Sequence, residues 1–151
     1  KVEGERPVVS IRRAQIEEML AHARAARPEE CCGLVGGDRE GVGASVYPLR
    51  NVAPDPRVAY DGDPQDLCEA QRTMRARGEQ LLGIYHSHPR EAAPAPSESD
   101  VRLAYHPSAI YFIIGIEDGA AGADSIATLH AFRIFRSEKL WERVEYAVVE
   151  S

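Results

Sequence analysis

No long apolar run occurs in this sequence, and no stretch approaches the ~20 residues that a bilayer-spanning helix needs. Clusters of lysine and arginine are also missing, and the formal charge is −6. A nucleic acid held through its phosphates is therefore not the expected partner. Residues 1–10 are polar and lack the apolar centre of a signal peptide. The chain starts on Lys1 rather than Met, so that start is expected to be trimmed or to carry added residues. Cysteine is scarce: there are three, an odd number, and Cys31 and Cys32 are adjacent. Neighbouring cysteines rarely close a relaxed disulfide, and no C-x-x-C pair is present for a structural zinc. A reduced, cytoplasmic protein is the expectation. Cys31 and Cys32 are expected as small buried side chains, sent to opposite faces by strand alternation.

What is present suits one domain. With 151 residues, 44% of them apolar, the chain can bury an adequate core. No repeat and no domain-separating linker interrupts it. Residues 7–11 read as a short strand, and Ile16, Met19, Leu20 and Ala23 follow helical spacing over 13–26, where Pro28 ends the helix. The run 31–35 suits a buried strand closed by a Gly36-Gly37 turn. Residues 43–49 resemble a strand and 51–56 a loop. Asp63-Pro64 predicts a helix start, with Asp as N-cap and Pro at the first position, and Gly78 predicts its end. A further apolar run covers 81–86, and 97–105 reads as a short helix. The most apolar segment, 110–116, is expected as the central strand. Two more strands are expected at 126–135 and 140–149, with Trp141 and Tyr146 expected in the core and a partner-facing place as the alternative. The fold class is α/β (α+β): a sheet with about three helices.

His86-Ser87-His88-Pro89 carries the chemistry. On a strand, positions i and i+2 share a face, so both imidazoles aim at one point. Asp100, a short loop later, can add a carboxylate oxygen, with Glu91 and Glu98 as weaker candidates. Two nitrogens and one oxygen fill three corners of a tetrahedral Zn2+ and leave the fourth for water, the pattern of a catalytic rather than a structural site. Ser97-x-x-Asp100 is also a capping-box pattern, which leaves a purely structural reading open. A hydrolase of this kind needs a general base, and Glu29 and Glu30 precede a buried strand; spacing does not choose between them. Cys31 has no evident base partner and is a poor nucleophile.

Taken together, Glu30-Cys31-Cys32-Gly33-Leu34, His86-Ser87-His88-Pro89 and Ser97-x-x-Asp100 resemble the JAMM (MPN+) zinc metalloproteases, over about residues 11–135. The resemblance implies a single MPN/JAMM domain with a cytidine-deaminase-like central mixed sheet flanked by helices. It implies Glu30 as acid/base, His86, His88 and Asp100 as ligands of one zinc, and Ser97 as an oxyanion donor. The implied activity is hydrolysis after the C-terminal Gly-Gly tail of a ubiquitin-like or sulfur-carrier protein, with residues 51–60 and 89–96 as rims of the tail site. One departure stands out: eight residues separate His88 from Ser97, where the family usually has seven. A non-catalytic, zinc-binding MPN scaffold is the alternative. A deaminase would need H-x-E and P-C-x-x-C, which this chain lacks. Oligomeric state stays open, a homodimer included.

Overall fold

In a computed structural model, which describes residues 7–150, local signals account for most elements. The remaining residues, 1–6 and 151, lie outside the described residues, and with them the expectation about the start of the chain. Strand β1 (Val9–Arg12) runs directly into helix α1 (Arg13–Ala26), whose Ile16, Met19 and Ala23 form the buried stripe. Strands β2 (Cys32–Gly37) and β3 (Val42–Leu49) follow. Helix α2 (Pro64–Arg77) is set by its ends: the Asp63 carboxylate accepts from the Asp66 N–H, and Gly78 closes the helix at φ +70°. Then come β4 (Gln80–His88), α3 (Glu98–Arg102), β5 (Ile110–Glu117), β6 (Ile126–Phe135), β7 (Leu140–Val144) and β8 (Tyr146–Val149).

The strands form one mixed sheet in the order β7-β6-β5-β4-β2-β3-β1-β8. Strands β3 and β6 lie four spacings apart, about 19 Å if the sheet were flat, yet α1 touches both. The sheet must therefore curl around α1. Consistently, β7 and β8 sit on opposite edges although only Glu145 separates them in the chain. Ile16, Met19 and Ala23 meet Val35, Tyr85, Phe112 and Ile114 in the hollow. On the outer face, α2 packs over Cys32, Leu34 and Leu49, while Ala104, Tyr111, Ile113 and Phe132 form a second cluster beside α3. None of the helices among the described residues is long and apolar enough to cross a membrane.

Five expectations change. Gly36 and Gly37 stay within β2 instead of forming a turn, since both pair with β3 and β4 across register shifts; the Glu79 carboxylate and Tyr47 leave no room for a Cβ at Gly36. The run 140–149 breaks at Glu145 into two strands, and α3 ends at Arg102 rather than near 105. β5 is interior, but β4 and β2 occupy the middle of the sheet. Trp141 lies 42% exposed, edge-on to Phe132, while Tyr146 is half-buried and donates to the Leu129 carbonyl.

Gly33 lets the centre close. A Cβ there would lie 2.2 Å from the Tyr85 ring, which is itself buried and hydrogen-bonded through its hydroxyl to His22 Nδ1. Gly33→Ala should cost about 1–3 kcal/mol of stability through overpacking, read as a lower urea midpoint with an unchanged slope.

Candidate active site

Strand β4 turns His86 and His88 outward and Tyr85 and Ser87 inward, as its two-residue period requires. The Nε2 atoms of His86 and His88 lie 3.1 Å apart. Asp100 closes the triangle, with Oδ1 3.2 Å from His86 Nε2 and Oδ2 3.1 Å from His88 Nε2. Two ring nitrogens and the two carboxylate oxygens thus converge on one small space, where protons donated to Asp100 or a metal ion would sit. The three ligand atoms fall within 4.8 Å of one another. A nitrogen-nitrogen-oxygen set in a buried place suits zinc, so the residues fit the metal the sequence implies.

Asp100 is delivered by a capping box. Ser97 Oγ accepts from the Asp100 N–H at 3.0 Å, and Asp100 Oδ2 accepts from the Ser97 N–H at 2.9 Å. The structural reading of Ser97 and Asp100 is thus correct, and it coexists with a place in the site. Having accepted the backbone N–H, Ser97 keeps its own hydroxyl hydrogen free to donate into the cleft it lines. Burial works against the Asp100 charge, but hydrogen bonds from His86 and His88 outweigh it and hold the carboxyl well below the usual range.

The long loop before Ser97 fits because β5 makes room for it. A Cβ on Gly115 would meet Pro94 Cδ and the Glu91 carbonyl at 2.6 Å, and the Ile116 N–H donates to that carbonyl at 2.9 Å. The eighth residue is absorbed without moving Asp100 off the histidines. The loop also brings Glu91 within 2.8 Å of His88 Nδ1, the nitrogen facing away from the triangle, so Glu91 is not one of the converging ligand groups. Burial lowers the His88 pKa, but Asp100 and Glu91 overcome it and push it up to about 9. Glu98 is exposed and is not among the converging groups.

Glu30 is the buried one of the two glutamates, 8% exposed, whereas Glu29 is exposed. Cys32 pairs with His86 in the antiparallel β2–β4 ladder, so continuing the register sets Glu30 opposite His88. The Cys31 N–H donates to Ser87 Oγ at 2.8 Å and the Ser87 N–H to the Cys31 carbonyl at 3.1 Å, which extends the ladder to that point. Burial raises the Glu30 pKa to about 7, the attraction of His88 opposing it and repulsion from Asp100 and Glu91 adding to it. Glu30, His88, Glu91, Ser97 and Asp100 line one cleft of about 420 Å³, walled by residues 57–60 and 89–91. Both expected rim segments contribute. A larger cleft of about 540 Å³ beside Trp141 shares Ser97 but not the histidines.

Two residues at the ends of the expected rim 51–60 have contacts that the sequence reading did not assign. Tyr60 stacks on His86 with ring centroids 4.4 Å apart, and the Asn51 side chain bonds the Glu30 carbonyl at 2.9 Å. Neither belongs to a periodic run; an asparagine opening a loop was the sole signal. Cys31 and Cys32 face opposite sides as expected, and burial pushes their thiols up to about 11 and about 12.

Residues 12–133 match the family model described as prokaryotic homologs of the JAB domain. A desampylase of Haloferax volcanii is 36% identical over 102 residues, covering 64% of this chain and 73% of that protein. A probable TtuB-protein conjugate cleaving protease of Thermus thermophilus is 41% identical over 97 residues, 64% of each chain. A CysO-cysteine peptidase of Mycobacterium tuberculosis is 33% identical over 112 residues, 74% of this chain and 75% of that one. Among solved structures, a Desulfitobacterium hafniense protein superposes with TM-score 0.79 at 36% identity, covering 95% of this chain and 94% of its own. A JAB1/MPN domain protein of Archaeoglobus fulgidus shares the fold, with TM-score 0.61 and 22% identity over 94% of this chain and all of that one.

The thiols offer a check on burial around the site. Cys31 and Cys32 are buried and Cys68 is exposed, all three free. Ellman's reagent should titrate one thiol per folded chain, and all three after denaturation.

Proposed function

Because the chain belongs to the family of prokaryotic JAB-domain homologues, we propose that it is a zinc-dependent peptidase of JAMM type. It hydrolyses the peptide or isopeptide bond that follows the C-terminal Gly-Gly tail of a ubiquitin-like or sulfur-carrier protein. The observation that carries this reading is the convergence of His86, His88 and Asp100 beside a buried glutamate opposite His88. The named relatives, which act on TtuB conjugates or CysO-cysteine, support the substrate class. One domain and a cytoplasmic setting complete the proposal, the latter supported by three unpaired thiols.

His86, His88 and Asp100 would hold the zinc, which when bound supplies a Lewis acid that acidifies water near neutral pH and polarises a carbonyl. Glu91 can only accept, so it fixes the hydrogen of His88 on Nδ1 and leaves Nε2 its lone pair. Glu30 takes a proton from the attacking water as the oxygen adds to the scissile carbonyl carbon. The Ser97 hydroxyl donates to the oxygen on which negative charge develops. Glu30 then returns the proton to the departing nitrogen as the C–N bond breaks, leaving a tail carboxylate and an amine. The Cys31 thiol, buried on the α1 side, takes no part.

The test combines zinc analysis with cleavage of a panel of Gly-Gly-tailed carriers bearing C-terminal amino acids or lysine-linked partners. Wild type should bind one zinc per chain and cleave at least one substrate class. Glu30→Gln should keep zinc and fold while kcat falls about 10²–10⁴-fold; turnover near wild type would remove Glu30 from the mechanism. His88→Ala should lose stoichiometric zinc together with activity, and retained zinc would show another ligand set. Zinc binding with no cleavage anywhere in the panel would favour the scaffold.

A further inference from the structure

One side chain joins the proposed base to the wall of the cleft. The chain leaves β3, passes Asn51, and returns to a bridge between Asn51 and Gly62. The Val52 N–H donates to the Asp61 carbonyl at 2.8 Å, and the Asp63 N–H to the Arg50 carbonyl at 2.8 Å, which closes the loop at its neck. Inside the loop lies the Asn51 amide, and it is fully used. Its Oδ1 accepts from the N–H groups of Ala53 at 3.1 Å and Asp61 at 3.0 Å. Its Nδ2 donates to the carbonyls of Glu30 at 2.9 Å and Ala59 at 3.0 Å, with Pro56 further away at 3.4 Å. Three carbonyls on one end and two N–H groups on the other admit a single orientation of the amide. The Glu30 N–H in turn donates to the Pro56 carbonyl at 2.7 Å.

Glu30 has left the β2 ladder, so its backbone is held from this side by the loop. The same loop carries residues 57–60, which wall the cleft, and sets Tyr60 against His86. We propose that Asn51 is a positioning residue that locks Glu30 and the cleft wall into one unit, so that the proton acceptor and the surface meeting the substrate keep a fixed relation. This rests on Glu30 being the base. Asn51 belongs neither to the ligand triangle nor to the residues that line the cleft; it acts through Glu30 and the loop. Two relayed contacts make the arrangement sensitive, since a misplacement of about 1 Å at a reacting group costs on the order of 10²-fold in rate.

Asn51→Asp is the informative variant because it keeps size and Oδ1 while replacing the donating end with an oxygen that faces three carbonyls. Asn51→Ala removes both ends. The readouts are kcat and KM on the preferred substrate, the zinc dissociation constant by chelator competition, and each effect repeated in a Glu30→Gln background. The expected result is a fall in kcat of about 10²-fold for Asn51→Asp, with the zinc constant within about twofold of wild type because no ligand has moved. In the Glu30→Gln background, adding Asn51→Asp should lower kcat no further, as expected of residues that act as a unit. Full multiplication of the two defects, loss of zinc affinity, or unfolding of both Asn51 variants would assign Asn51 a general structural role and overturn the proposal. Wild-type kcat in Asn51→Asp, alongside an inactive Glu30→Gln, would overturn it too and leave the peptidase reading intact. An inactive wild type would instead count against that reading.

Discussion

Everything at the site depends on the pairing of β2 with β4. Their antiparallel register sets Cys32 against His86 and so brings Glu30, just before β2, to the level of His88. A slip of one residue would turn both histidines into the hollow beside α1 and Tyr85 out to the cleft. The register is fixed from both faces. Inside, Tyr85 fills the space left by Gly33, and Ser87 binds the Cys31 backbone; outside, Leu34 and Cys32 pack under α2.

On that frame the chain gathers more negative charge than burial readily allows. Asp100, Glu91 and Glu30 stand around two imidazoles. Burial drives Glu30 toward neutrality, while hydrogen bonds keep Asp100 ionised. Two carboxyl groups in one cleft thus have opposite tendencies, the usual basis for dividing ligand and base duties between them. A cation between the imidazole nitrogens resolves the excess; hydrophobic packing would not.

The parts legible in the sequence are those with a local cause. Asp63-Pro64 and Gly78 delimit α2 because helix ends are set by their own side chains, and H-x-H is legible because a strand's period is two. The jump between sheet edges at Glu145 was not, since neither Gly nor Pro marks it and alternation continues through it. Trp141 was misplaced for a related reason: β7 is an edge strand, so a residue that would be enclosed mid-sheet stays partly open. At the site, the convergence of His86, His88 and Asp100 followed from spacing, but the contacts of Asn51 and Tyr60 depend on how the loop after β3 folds back, and no periodicity reports that.

The single residue between β7 and β8 also orders events in time. Strand β8 pairs with β1, so Val9 waits for Tyr146 before the curl can close. Glu30, His86, His88 and Asp100 all lie in the stretch made before that. On a ribosome, the pairing of β2, β4 and β5 and the capping of α3 could already be complete while the hollow that shelters α1 was still open on one side. The half that carries the candidate site is made early in the chain, and the last strand is placed as a clasp on the edge of the curl.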